Sequence, residues 1–146
     1  MSDDCFVCRK HRGEIPVPGG ALYEDDLVYS SHVFDPERNP NPYLGHLIVE
    51  PKRHAPGLAD LTEDEAKAVG ALAARAARAL HAEGADWVYA AVLGHHVPHL
   101  HLHLIPRYPG TPNEYWNPLT IDEWEGAKHG SPEEVAALSD RLRAHF

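Results

Sequence analysis

The sequence predicts an α+β domain: an antiparallel sheet of about five strands with two main helices packed on it. Three observations carry this expectation. Short runs rich in β-branched and aromatic residues recur between turn signals. Two Ser/Thr-x-x-Glu capping boxes each open an apolar stripe at helical spacing. The elements also fall in the order strands, helix, strands, helix. A chain of 146 residues suits a single domain over 1–146, with a core at about 5–107 and a tail and helix over 108–146. It contains no internal repeat and no low-complexity linker.

Taken in order, residues 1–20 read as a loop that carries Cys5 and Cys8 and ends in Pro16-Val17-Pro18-Gly19-Gly20. Residues 22–24 and 27–34 are strand-like around a turn at Asp25-Asp26. Residues 35–42 hold Pro36, Pro40 and Pro42, which predicts an exposed loop. The next strand covers 45–50 and is stopped by Pro51. Thr62 is placed as an N-cap with Glu65 at N3 and Leu61 as a hydrophobic staple. Val69, Leu72, Ala73, Ala76 and Leu80 form the stripe of that helix, and Gly84 ends it. Two strands follow at 87–92 and 98–105. Ser131-Pro132 and Glu134 open the last helix, whose stripe is Val135, Leu138, Leu142 and Phe146.

Thirteen basic against twenty-two acidic side chains give a formal charge of −9. That argues against a nucleic-acid polymer as partner, because such affinity comes mainly from neutralising phosphates. No apolar run is long enough to cross a bilayer, so no membrane partner is expected. The acidic start Met1-Ser2-Asp3-Asp4-Cys5 lacks the basic and apolar regions of a signal peptide, and a cytoplasmic protein is the expectation. In that reducing compartment Cys5-Phe6-Val7-Cys8 suggests metal ligation before a disulfide.

The twelve histidines are the unusual feature. In a strand over 98–105, His99, His101 and His103 share one face and Leu100, Leu102 and Leu104 the other. The leucines read as the core side. The histidine face is open to three readings: a polar surface, a metal site of the His-x-His kind, or catalysis at phosphorus. Neutral imidazole is a good nucleophile, and its protonated form stabilises an anion or donates to a leaving group.

The run His99-Leu100-His101-Leu102-His103-Leu104-Ile105 resembles the signature of the histidine-triad (HIT) superfamily. Cys5-Phe6-Val7-Cys8-Arg9, Gly13-Glu14-Ile15-Pro16 and Tyr23-Glu24-Asp25-Asp26 are similar to the family's opening. The stretch from Gly45 to His54 and the helix start at Leu61-Thr62-Glu63-Asp64-Glu65 match it in the same order. The resemblance implies a nucleotide hydrolase or transferase in which His101 attacks the α-phosphorus of a phosphoramidate or dinucleoside polyphosphate, forming a nucleotidyl-histidine. A backbone carbonyl would fix the His101 tautomer. His103 and His46 are the candidates for phosphate contact and proton handling, and Asp35 for the ribose hydroxyls, unless Asp35 simply starts a turn.

The family's Asn-x-Gly and Gly-Gln are replaced here by residues 87–96, and His95 stands where a glutamine often donates. His95 and His96 are therefore either nucleotide contacts or a polar turn. The resemblance also implies a structural zinc ion on Cys5, Cys8, His54 and His99, and a homodimer with a continuous sheet. Two alternatives remain at this point: a phosphorylase-type nucleotidyltransferase with the same intermediate, and a zinc-stabilised nucleotide-binding scaffold without turnover. Arg107 either supplies local positive charge or pairs with a carboxylate, and the tail aromatics Tyr115, Trp116 and Trp124 either close the site, pack on a partner subunit or cover the core.

Overall fold

The computed structural model describes residues 4–146, so the acidic start at residues 1–3 lies outside the described residues. Five strands form one sheet: β1 (Tyr23–Glu24), β2 (Val28–His32), β3 (Leu47–Pro51), β4 (Trp87–Ala91) and β5 (Leu102–Arg107). Their order is β1-β2-β3-β5-β4, and every neighbouring pair is antiparallel. Three α-helices accompany it: α1 (Phe6–His11), α2 (Glu63–Ala82) and α3 (Pro132–Arg143). The expected α+β sheet with two long helices is the fold observed. None of the helices is long and apolar enough to cross a membrane.

Alternation along the central strands divides the sheet into two faces. Leu47 and Val49 of β3, Leu104 of β5 and Val28 of β2 point into one core with Val69, Leu72, Ala76, Ala79 and Leu80 of α2. Leu138 and Leu142 of α3 close the same core. Each such leucine, removed from water, contributes about 2 kcal/mol before ordering costs. Thr62 and Glu65 make the predicted capping box at the start of α2, and Ser131 and Glu134 make the second at α3. Gly84 follows α2 at φ +109°, a turn that only glycine enters without strain.

The opposite face carries Ile48 and Glu50 of β3 and His103 and Ile105 of β5. Part of it is covered by α1, and part by the tail, where Ile121 packs with Tyr43 and Ile105 in a second apolar cluster.

Two expectations require correction. Residues 1–20 are not all loop, since Phe6–His11 forms a helix. Its cap is Cys5, whose Sγ accepts from Cys8 N at 3.5 Å, and cysteine is not a recognised N-cap. The histidine segment is also shorter as a strand than expected. Pairing starts at Leu102 and runs through Pro106 to Arg107. Upstream, Leu100 N–H donates to Ala55 O at 2.7 Å, leaving the sheet ladder for the loop after β3. His99 therefore sits at a bend and His101 on irregular backbone ahead of the strand, and strand alternation by itself does not place them.

Candidate functional site

In the β3–β5 register, Ile48 lies opposite His103 and Leu47 opposite Leu104. His46, one residue ahead of β3, reaches across so that its Nε2 is 2.9 Å from His103 Nδ1. Burial is the main cause that lowers both imidazoles, His46 to about 3 and His103 to about 4. The pair is therefore neutral near pH 7, and one N–H is shared between two rings. His101 is set differently. Its Nδ1–H donates to the backbone carbonyl of His99 at 2.7 Å, which leaves the Nε2 lone pair free. The His101 and His103 rings stand 5.0 Å apart, inclined at 74°.

Both rings line a cleft of about 620 Å³, together with Phe6, Phe34, Asp35 and Ile48. That volume is in the usual range for a small-molecule site. Lys10, Glu50 and His96 line it as well, whereas His95 and His46 do not. His95 and His96 are exposed on a bend with rings 6.3 Å apart. Asp35 both faces the cleft and starts a turn: its Oδ1 accepts from Glu37 N at 2.9 Å and Arg38 N at 3.0 Å.

His99 belongs to a second constellation. Its ring is fully buried beside Cys5 and Cys8, with Nδ1 at 3.6 Å and 3.4 Å from the two sulfurs. His54 Nδ1 is 3.5 Å from Cys8 Sγ, and the four donor atoms all lie within 4.8 Å of one another. A tetrahedral zinc ion with bonds of about 2.3 Å to sulfur and about 2.0 Å to nitrogen sets S···N edges of about 3.6 Å. The observed spacings fit that ion. The donor chemistry fits too, because His99 Nε2–H donates to Pro51 O at 2.8 Å and so presents a bare Nδ1 to the sulfurs. Neither cysteine is in a disulfide.

Compared with known protein families, residues 14–110 match the HIT domain. The chain belongs to the HIT family. It is 30% identical over 111 residues to an uncharacterised HIT-like protein of Methanocaldococcus jannaschii, covering 73% of this chain and 81% of that one. A zinc-bound histidine-triad protein from Mycobacterium smegmatis superposes with a TM-score of 0.70 at 25% identity, over 97% of this chain and 94% of its own. A HIT-like protein of Bartonella henselae, described as involved in cell-cycle regulation, aligns with a TM-score of 0.70 at 26% identity. That alignment covers 100% of this chain and 98% of the other.

Within this HIT fold, three features escaped sequence reasoning. Glu50, fully buried on the cleft face of β3, receives Lys10 Nζ at 2.8 Å and pairs with His11 Nε2 at 2.9 Å. Burial alone would raise the Glu50 carboxyl, but Lys10 and His11 hold it below the usual range. No local pattern announces that trio, since Glu50 lies 40 residues from Lys10 and 39 from His11. His32 is the second. Its Nδ1–H donates to Val33 O at 2.8 Å and its Nε2 accepts from Gly45 N at 2.9 Å, and burial lowers it to about 4. The third is the stacking of Arg107, 3.7 Å from the Trp116 ring; its pairing with Asp86 at 3.0 Å, away from the cleft, is the carboxylate role that the sequence offers as one of two.

Proposed function

We propose that this HIT protein is a nucleotide hydrolase or transferase that acts at the α-phosphate through a covalent intermediate on His101. The single observation that carries the reading is the 2.7 Å bond from His101 Nδ1 to His99 O, in a cleft that also contains His103. With its proton committed to the carbonyl, the ring attacks through Nε2. The P–Nε2 bond forms as the bond to the leaving group breaks, and the positive charge on the substituted ring is offset by the same carbonyl. His103, steadied by His46, contacts the phosphoryl oxygens, and Asp35 uses its second carboxylate oxygen on the ribose. His96, with His95 beside it, donates to the departing amine or phosphate. Water or another acceptor then attacks phosphorus and restores His101.

The substrate class is a nucleoside phosphoramidate or a dinucleoside polyphosphate. Cys5, Cys8, His54 and His99 hold a structural zinc ion, which as a closed four-coordinate site braces the segment ahead of β5 and offers no position for activated water. His99 is thereby a ligand and not a proton donor. The protein works as a homodimer.

The test is incubation with radiolabelled AMP and GMP phosphoramidates and dinucleoside polyphosphates. The wild-type chain should acquire acid-labile nucleotide label on a histidine, and His101→Ala should acquire none and lose turnover by at least about a thousandfold. Full activity in His101→Ala would refute the proposal. Metal analysis of protein purified without chelator should give about one zinc per chain.

A further inference from the structure

The turn after Asp35, which lines the cleft, holds two charged side chains that the catalytic reading leaves unused. Glu37 and Arg38 both line the cleft and both are exposed. Their backbone is pinned: Asp35 Oδ1 accepts from both amides, and Asn39 N–H closes the turn on Asp35 O at 2.9 Å. Among the described residues neither side chain makes an ion pair or a side-chain hydrogen bond, with each other or with anything else. The two other cations of the cleft wall are engaged, Arg9 with Glu14 and Lys10 with Glu50. The same cleft is also lined by the apolar side chains Phe6, Ile15, Phe34 and Pro36.

The lining thus offers three kinds of group: the imidazoles, apolar side chains against which a flat ring can lie, and a carboxylate beside a guanidinium that no other side chain engages. A carboxylate accepts two parallel N–H bonds, and a guanidinium donates two. Among the common bases only guanine offers both counterparts on adjoining edges: donors at N1–H and N2–H, acceptors at O6 and N7. Adenine turns the N1 lone pair toward a carboxylate placed there. Uracil offers a single N–H between two carbonyls, and cytosine places one donor beside acceptors.

We propose that the cleft selects guanine nucleotides, with Glu37 accepting from N1–H and N2–H and Arg38 donating to O6 and N7. This rests on the nucleotide reading of the cleft and sharpens it to a base. Exposure of both side chains keeps the discrimination modest, about tenfold.

Calorimetric titration of the purified protein with GMP, IMP and AMP tests it. GMP should bind about tenfold more tightly than AMP, and IMP, which lacks the N2 amine, should fall between them. Glu37→Gln should bring GMP to within about twofold of AMP while leaving AMP unchanged. Arg38→Ala should weaken GMP and spare AMP. Both substitutions lie at an exposed turn tip, so an unchanged melting temperature excludes misfolding as the cause. Equal affinity for GMP and AMP in the wild type, or a preference that survives Glu37→Gln, overturns the base assignment and leaves the nucleotide reading intact. Binding of none of the three nucleotides overturns both.

Discussion

Imidazoles of one kind are given different tasks here by the hydrogen bonds at their second nitrogen. His101 donates to a carbonyl and keeps a lone pair toward the cleft; His99 donates to another carbonyl and keeps one toward two sulfurs. His46, His103 and His32 are all held neutral in the fold, at about 3, about 4 and about 4, chiefly by burial. Each would bind a proton below its ordinary value of about 6.5 once unfolded, so the unfolded chain holds more protons between about pH 4 and 6.5. Stability therefore falls as pH drops through that window, by up to about 1.4 kcal/mol per pH unit for each ring. Urea unfolding from pH 7 to 5 should show this slope, and His46→Asn should reduce it by roughly one ring's share. An unchanged slope in the variant would contradict the neutral state assigned to His46. Gly45 is a second residue-scale case. It sits at φ +91°, and a Cβ there would meet the Tyr108 hydroxyl and come within 2.8 Å of Pro106 Cγ. Gly45→Ala should cost about 2 kcal/mol or more in the same assay. The His-x-His-x-His spacing was readable because it is local in sequence. His32 was not, because its role depends on a glycine amide 13 residues away, ahead of the next strand.

At the scale of elements, α1 shows where sequence reading stops. Six residues do not make a stable helix alone, and no Ser, Thr, Asp or Asn stands at its N-cap. What holds it is what it touches: the cysteines lie with His54 and His99, and Lys10 and His11 close on Glu50. Those contacts are tertiary, whereas the capping boxes of α2 and α3 lie within four consecutive residues and were legible from them. The start of β5 was misplaced for a related reason, since the Leu100 amide leaves the ladder for Ala55. Lys10→Met would strand the Glu50 carboxylate in a buried position, a change that typically costs about 3–5 kcal/mol. Chemical denaturation should register that loss, and a cost under about 1 kcal/mol would mean that the pair is not buried in solution. Chelator treatment should act on the same element from its other side. Hydrogen exchange after zinc removal should speed up in α1 and in the segment carrying His99, while the amides of α2 keep their protection. Uniform loss of protection across α2 would instead make the metal a condition of the whole fold.

Across the whole molecule, the strand order leaves β1 and β4 as the two edges of the sheet. β1 is only two residues long, which is one way an edge is kept from pairing with another chain. β4 has five residues, and its outer side meets no other strand. Trp87 at its start is 54% exposed, Val92 and Leu93 just after it are 37% and 42% exposed, and Trp116 of the tail is 47% exposed. A five-residue unpaired edge bordered by large apolar side chains is where the proposed second copy of the chain would dock. Two antiparallel β4 strands would continue one sheet across a twofold axis. Sedimentation equilibrium at micromolar concentration should therefore return twice the chain mass of 16.2 kDa. Trp87→Glu, placing a charge in the apolar border that the second copy would cover, should shift the equilibrium toward monomer by about a hundredfold in Kd without disturbing α2 or the main core. A wild-type protein that stays monomeric at that concentration would remove β4 as an interface and leave its apolar border to be explained by another partner.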